Sequence, residues 1–367
     1  MARGEGVRPI FNFSAGPGVV PEECLAQARD EMLDWEGVGY SVIEASHRSE
    51  RFLALMQETV GLVRELLAVP ASHHVLLLQG GAHLQFAMVP MNLLGTPARA
   101  DYLETGVWSQ VAIQEARRWC QVNLAASSAA GGYTSAPGQS ELRLDPSAAY
   151  VHYCSNETIN GVEFPYVPDT GPVPLVADMS SHLMSRPVEV ARYGLIYAGA
   201  QKNLGPAGLC LVIVRDDLLG RCAPTTPTML DYRTHAEAGS GYNTPATFSV
   251  YFACLVLRWL KRQGGVAAIE QRNIEKAQLL YRAIDESQGF YVNRVRVADR
   301  SRMNVPFFLR DEILQSDFLR GAEAHGLVQL RGHRRLGGLR ASLYNAMPIE
   351  GVRALISYMR EFAQHHG

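Results

Sequence analysis

The sequence predicts an α/β fold with a large, mostly parallel sheet domain followed by a smaller α+β domain. Short apolar runs that are typical of strands alternate with helical patterns over residues 21–264. Two of these runs, residues 75–78 and 209–214, are apolar throughout, as expected for fully buried strands. From residue 291 onward the pattern becomes α+β. These observations predict one open sheet covered by helices, with a second and smaller unit behind it.

The elements of the large domain follow from apolar runs, helical spacing and chain-breaking residues. Strands are predicted within residues 11–18 and at 75–79, 100–104, 150–154, 174–178, 194–197 and 209–214. Helices are predicted at 21–34, 50–67, from about 80, at 112–119 and at 248–262. Pro21 suits the first turn of its helix, and residues 125–140, which are rich in Ala, Ser and Gly, are expected to form a loop.

Gly264-Gly265 is the best candidate for a domain boundary. The elements predicted beyond it are a long amphipathic helix at 266–286, strands at 304–309 and 338–344, a helix at 311–325 and a last helix from near 348. We therefore expect a large domain at 21–264 and a small α+β domain at 265–367. The N-terminal segment, residues 1–20, is expected to pack with the small domain.

The composition is that of an ordinary globular protein. Of 367 residues, 47% are hydrophobic and 19% are charged, and the length favours about two domains. A formal net charge of −2 argues against a nucleic-acid partner. Six scattered cysteines without a CxxC pair indicate reduced thiols, and no run approaches the ~18 apolar residues of a membrane span. We expect a cytoplasmic protein without a membrane partner.

Lys202 stands between two predicted interior strands, among small residues that would let a flat ligand approach the backbone. Asp178 ends an earlier strand, with room for one connection and one more strand between them. Both side chains can then emerge at one sheet edge, where open α/β folds bind ligands. A buried lysine is a competent nucleophile toward an aldehyde, and a carboxylate keeps a pyridine nitrogen protonated. A surface lysine and a helix-capping aspartate remain the alternatives, but the pair favours pyridoxal phosphate.

Four other places in the sequence could contact such a cofactor. Gly80-Gly81 joins a strand to a helix, so backbone N–H groups there suit a phosphate, although a plain tight turn has the same pattern. Trp108 follows a strand and could stack on a flat ring or simply pack between elements. Thr158 could donate to a ring hydroxyl. Asn243 and Thr244 precede a helix, where they could bind a ligand or cap the helix.

Basic residues concentrate in two places in this nearly neutral chain. His47-Arg48 is a candidate anion contact, as is the run of residues 331–335, which includes His333 and Arg334. Arg340 lies inside an apolar strand, and its forked, permanent charge suits a carboxylate. A solvated charged face is the alternative for each run.

The chain resembles the phosphoserine aminotransferases, which belong to the class-V pyridoxal-phosphate-dependent aminotransferases. The resemblance spans nearly the whole chain, and related aminotransferases share the lysine without this set of motifs. The matching segments are 11–17, 46–48, 79–82, 153–161, 177–181, 197–208, 242–245, 301–305 and 340–348.

The resemblance implies the fold-type-I architecture of aspartate aminotransferase and a homodimer with shared active sites. It implies pyridoxal 5'-phosphate as cofactor and amino transfer between glutamate and 3-phosphohydroxypyruvate, giving O-phosphoserine and 2-oxoglutarate. That reaction belongs to serine biosynthesis, and many bacterial members also act on a phosphorylated threonine analogue in pyridoxal phosphate synthesis.

The resemblance also implies roles for individual residues. Lys202 and Asp178 would be catalytic, with Lys202 bonded to the cofactor aldehyde and Asp178 on the ring nitrogen. The other cofactor contacts would be Ala82, His83, Trp108, Thr158 and Gln201, with Asn243 and Thr244 supplied across the dimer. Substrate contacts would be His47, Arg48, His333, Arg334 and Arg340.

Two positions depart from the pattern of some family members. His83 stands where those members have arginine, so a side-chain contact from this position to the substrate phosphate is in doubt. Ala15 stands where some have serine.

Other functions on the same fold are the alternatives. An alanine–glyoxylate aminotransferase would not need the phosphate-directed residues, and a cysteine desulfurase needs a cysteine on a mobile loop that this chain does not obviously offer. A non-catalytic binding protein would be plausible if Lys202 or Asp178 were missing, but both are present.

Overall fold

The computed structural model describes residues 9–96 and 98–367, so the first eight residues of the predicted N-terminal segment lie outside the described part. The strands are β1 Phe11–Asn12, β2 His73–Gln79, β3 Arg99–Glu104, β4 Gln121–Ser127, β5 Val151–Cys154, β6 Asn156–Glu157, β7 Val162–Glu163, β8 Leu175–Asp178, β9 Leu195–Gly199, β10 Leu209–Arg215, β11 Tyr291–Val292, β12 Asn304–Leu309, β13 Leu327–Val328 and β14 Leu339–Ser342. The α-helices are α1 Glu22–Asp30, α2 Glu50–Leu67, α3 Gly81–Leu93, α4 Val107–Ala116, α5 Tyr232–Glu237, α6 Thr247–Arg262, α7 Gly265–Asp285, α8 Gln315–Ala324 and α9 Ile349–His366.

A seven-stranded sheet with the order β2-β10-β9-β8-β5-β3-β4 forms the centre of the molecule. Its neighbours from β9 to β4 are parallel, and β10 runs antiparallel to both β2 and β9. The predicted α/β class with a mostly parallel sheet is confirmed. Because parallel strands end at the same edge, the segments that follow β3, β5, β8 and β9 come together there.

Both faces of this sheet are buried, which explains its apolar strands. Along β9, Ile196 and Ala198 pack into the core on one face, whereas Leu195 and Tyr197 pack into the core on the other. Alternate side chains of a strand point to opposite faces, so every position of a doubly covered strand is apolar.

A separate core lies in the C-terminal part of the chain. The three-stranded sheet β11-β12-β14 and helices α8 and α9 surround it. Helix α7 connects the two parts, since Val266 packs with the core of the large sheet and Ile284 packs with the second core. Strand β1 pairs in parallel with β13, and Phe13 is buried in the second core. The domain bounds given above stay a prediction, and this packing is consistent with an N-terminal segment on the small unit.

Several predicted boundaries were wrong, among them the start of the helix predicted at 311–325, because α8 begins at Gln315. Helix α1 ends at Asp30, four residues before the predicted end, and β4 extends to Ser127 into the predicted loop. Helix α4 begins at Val107 instead of residue 112, because side chains that follow β5 cap its first turn. Within residues 9–96 and 98–367, no helix is both long and apolar enough to cross a bilayer.

Candidate active site

Lys202 lies in the turn that joins β9 to β10, three residues after β9 ends. Only 8% of the residue is exposed, and its Nζ donates a hydrogen bond to Thr158 Oγ1 at 2.8 Å. The N-terminal segment covers this turn, since Gly18 N donates to Gln201 O at 2.7 Å. The predicted burial of the lysine between interior strands is therefore present.

Burial lowers the pKa of the Lys202 amine, and the positive charge of Arg340 lowers it further. The charges that oppose this shift are, in order, those of Asp178, Cys154 and Glu157. A lysine whose ammonium form is disfavoured in this way spends more time as the neutral, nucleophilic amine.

Asp178 ends β8, next to Lys202 at the same sheet edge. It is 5% exposed, and its Oδ1 accepts a hydrogen bond from Ser180 N at 2.9 Å. On the neighbouring strand β5, Cys154 is its register partner. The carboxylate is thus fixed by the backbone that follows it, and Asp178, Ser180 and Cys154 line the same cavity as Lys202.

The cavity encloses about 210 Å³ at the carboxyl edge of the sheet. Nine of the predicted site residues line it, namely Ala82, His83, Trp108, Thr158, Asp178, Gln201, Lys202, His333 and Arg340. Lys202 Nζ lies 6.0 Å from the centre of the Trp108 ring, and the His83 ring meets that indole edge-on at 5.3 Å. The side wall is therefore aromatic.

Two helices begin at this cavity, and their first turns differ. Helix α4 is capped by protein groups, because Glu157 accepts hydrogen bonds from Trp108 N and Ser109 N, both at 2.9 Å. Helix α3 begins after Gly80, whose φ of 88° places it in the left-handed region, and it has no side-chain cap. Uncapped N–H groups at a helix start attract an anion. The start of α3 is therefore the candidate phosphate site, as the glycine pair predicted.

Two basic residues complete the lining. Arg340 on β14 is half-buried, and its Nη1 donates to Thr158 O at 3.4 Å. Burial lowers the pKa of His333, and the charges of Arg340, Arg334 and Arg335 lower it further. Like charges that lie close together repel one another, and an anion bound between them would offset this repulsion.

Comparison with known proteins identifies the family of this site. The family model for aminotransferase class V matches residues 10–355. The chain belongs to the class-V aminotransferases. The phosphoserine aminotransferase of Laribacter hongkongensis is 57% identical over 358 residues, which cover 98% of this chain and 99% of that protein.

Solved structures of similar aminotransferases have the same fold. The phosphoserine aminotransferase from Bacillus circulans subsp. alkalophilus superposes with a TM-score of 0.96 at 45% identity, over 98% of this chain and 99% of the other. A phosphoserine aminotransferase from Trichomonas vaginalis, solved with bound pyridoxal phosphate, gives a TM-score of 0.91 at 42% identity, over 96% and 99%.

Five predicted site residues of this class-V aminotransferase do not line the cavity. His47 and Arg48 lie just before α2, and Arg48 is exposed. Arg334 is exposed beside His333. Asn243 borders a different cavity, and Thr244 O accepts a hydrogen bond from Gln79 Nε2 at 2.6 Å.

The sequence analysis missed several groups of this aminotransferase site. Gly16, Phe86, Asn156, Ile159, Cys154 and Ser180 also line the cavity. Cys154 and Ser180 were accessible to sequence reasoning, because each adjoins the end of a strand that was predicted to reach the site. Glu157 could not be identified from the sequence, because it caps a helix that begins some 50 positions earlier in the chain.

Proposed function

We propose that this class-V aminotransferase is a phosphoserine aminotransferase, which transfers an amino group between glutamate and 3-phosphohydroxypyruvate to give O-phosphoserine and 2-oxoglutarate. The observation that carries the proposal is the buried amine of Lys202 beside Asp178, in a cavity that also contains His333 and Arg340. Relatives of that name that are 57% identical over nearly their whole length support it.

The residues of the cavity fit pyridoxal 5'-phosphate. The uncapped start of α3, with Ala82 and His83, would hold the phosphate together with Gln201. Trp108 would lie against the ring, and Thr158 would contact its hydroxyl. When bound, this cofactor supplies an aldehyde that bonds to amines and a ring that accepts electrons.

Two residues carry the proton chemistry. Lys202 would hold the cofactor aldehyde through Nζ and, when released, its neutral amine would move the proton to and from the substrate α-carbon. Asp178, which is held in place by Ser180 N, would face the pyridine nitrogen and favour its protonated form through its negative charge. The N-terminal segment above Gln201 excludes water from this amine.

The basic residues select the substrates. Arg340 binds the α-carboxylate that both amino acids share. His333 and Arg334 receive the phosphate of one substrate or the side-chain carboxylate of glutamate, and His47 and Arg48, which do not line the cavity, would reach the site from a second subunit. We include a homodimer in the proposal for this reason, with Asn243 of the partner subunit and Thr244 of the partner subunit near the cofactor phosphate. A cytoplasmic location and a second role in vitamin B6 synthesis belong to the same proposal.

The test compares single lysine variants of a chain that has only three lysines, at positions 202, 261 and 276. Lys202→Ala is expected to abolish transamination from glutamate to 3-phosphohydroxypyruvate and to change the visible absorbance of the purified protein. The control is Lys261→Ala, an exposed residue that pairs with Glu65, which should behave as the wild type. Normal turnover by Lys202→Ala would refute the proposal.

A substrate comparison separates this function from that of an alanine–glyoxylate aminotransferase. Amino donation by O-phosphoserine should be far more efficient than donation by serine, since serine has no side-chain anion for His333 and Arg334 to bind. Equal kcat/KM values for the two donors would favour the alternative.

A further inference from the structure

Glu157 is a fully buried carboxylate to which the proposed function gives no role. It lies in the hairpin β6–β7, one residue before Thr158. Its Oε2 accepts a hydrogen bond from Trp108 N at 2.9 Å, and its Oε1 accepts from Ser109 N at 2.9 Å and from Ser109 Oγ at 2.7 Å. The two backbone donors belong to the first turn of α4, where no partner exists within the helix.

The residues around Glu157 leave space for its carboxylate and complete the cap of α4. Asn160 Oδ1 accepts from Val107 N at 3.2 Å, so a single turn of chain satisfies three successive N–H groups of α4. A Cβ on Gly106 would lie 2.5 Å from Cδ of Glu157, closer than atoms can approach. Glycine at position 106 is therefore required by the carboxylate.

Glu157 connects two walls of the cavity. On one side it fixes the backbone of Trp108, whose ring lines the cavity. On the other side its neighbour Thr158 accepts the hydrogen bond from Lys202 Nζ, and Thr158 O accepts one from Arg340. The indole, the amine and the guanidinium are thus all linked to the two-residue unit 157–158.

We propose that Glu157 is a positioning residue for the reaction, which holds the Trp108 indole at a fixed distance from Thr158 and the Lys202 amine so that pyridoxal phosphate fits between these walls. This inference rests on the proposed function. Glu157 acts through Trp108 and Thr158 and does not itself line the cavity.

The chemistry of the side chain supports a positioning role. A carboxylate can accept all three hydrogen bonds, whereas a glutamine would direct its NH2 group at one of these donors. Burial raises the pKa of Glu157 to about 6 even though these donors lower it, so the charged form is costly to bury. A helix start can be capped by an uncharged group, and a buried charge is therefore not required for the helix alone.

The test is Glu157→Gln, with pyridoxal phosphate added to the apoprotein. We expect the Kd for pyridoxal phosphate to rise on the order of tenfold, which corresponds to the loss of one charge-assisted hydrogen bond. The visible circular dichroism of the bound cofactor should also change, because the indole moves. The kcat for glutamate should fall while its KM changes little, since Arg340 donates to the backbone carbonyl of Thr158, which the substitution does not remove. An unchanged Kd together with an unchanged circular dichroism spectrum would overturn the proposal.

Glu163→Gln is the matched control, since Glu163 is a second buried glutamate of the same hairpin. Its carboxylate pairs with Arg302 and Arg186 and does not line the cavity. This variant should lose stability without a change in the Kd for pyridoxal phosphate. If both variants weaken cofactor binding equally, Glu157 has only a structural role and the proposal is wrong.

Ser109→Ala provides a second variant that decides the question if Glu157→Gln does not fold. It removes one donor to Glu157 and keeps the charge, so it should weaken pyridoxal phosphate binding in the same direction and by less. Wild-type binding by Ser109→Ala would contradict the proposal. A wild-type protein that binds no pyridoxal phosphate would instead refute the proposed function, which keeps the two failures distinct.

Discussion

Thr158 brings two cations together at the centre of the site. Lys202 Nζ donates to its hydroxyl at 2.8 Å, and Arg340 Nη1 donates to its carbonyl at 3.4 Å. The arginine keeps its charge under all ordinary conditions, whereas burial and the charge of the arginine lower the pKa of the lysine amine. Thr158 therefore holds a permanent charge beside an amine whose ammonium form is disfavoured.

This arrangement predicts the effect of Arg340→Lys. The variant keeps the charge and loses the two parallel N–H groups that match a carboxylate, so KM should rise about tenfold or more for both glutamate and O-phosphoserine. Steady-state kinetics with each amino donor measures this. Arg331→Lys, an exposed change on the same basic segment, is the control. A rise in KM for one donor alone would contradict an α-carboxylate role.

At the scale of elements, the sheet brings the proposed catalytic pair together. Asp178 ends β8 and Lys202 follows shortly after β9, and both positions could be predicted because each side chain comes at or soon after the end of an apolar run. The early start of α4 could not be predicted, because Glu157 and Asn160 contact it from a distant part of the chain. The antiparallel direction of β10 could not be predicted either, since an apolar run does not indicate the direction of a strand.

His152 on β5 is a buried histidine whose titration makes the stability of the fold depend on pH. Its ring stacks between those of Tyr102 and Tyr197, and its Nε2 lies 2.8 Å from the Tyr197 hydroxyl. Burial lowers the pKa of His152 from 6.5 to about 3. Between these pH values the unfolded chain binds a proton that the folded protein does not, so acidification below pH 6.5 destabilises the fold.

The expected contribution of His152 is a loss of at most about 1.4 kcal/mol of unfolding free energy per pH unit below 6.5. Urea unfolding of wild type and His152→Phe at pH 7, 6 and 5 measures it. The stability advantage of the wild type over the variant should shrink as the pH falls. His365→Ala, which removes an exposed histidine, should leave the pH dependence of the wild type in place. Parallel pH profiles for wild type and His152→Phe would show that His152 does not titrate in this way.

At the scale of the molecule, buried polar groups join the large sheet to the second core. Asn345 N donates to Asn203 Oδ1 at 3.0 Å, next to Lys202 in the chain, and Asn273 on α7 donates to Asn345 Oδ1 at 2.9 Å. One turn further along α7, Lys276 Nζ donates to the carbonyls of residues 343, 344 and 347. The position of the second core is thereby tied to the turn that carries Lys202.

Lys276→Met should lower the unfolding free energy by about 1–3 kcal/mol, because it removes a buried donor from three carbonyls, of which only that of Tyr344 is shown to keep another, Met347 N. Urea unfolding of the apoprotein measures the change. Lys261→Met, which removes an exposed ion pair with Glu65, should change the stability by less than about 1 kcal/mol. Equal effects of the two substitutions would show that the buried amine does not join the two cores.

The pairing of β1 with β13 has a consequence for synthesis of the chain. Phe11 and Leu327 are roughly three hundred positions apart, and contacts of such high sequence separation form late. The segment that covers the turn of Lys202 is synthesised long before β13, so it has no strand to join until most of the polypeptide has followed. A chain that stops before residue 327 therefore lacks the strand that pairs with this segment.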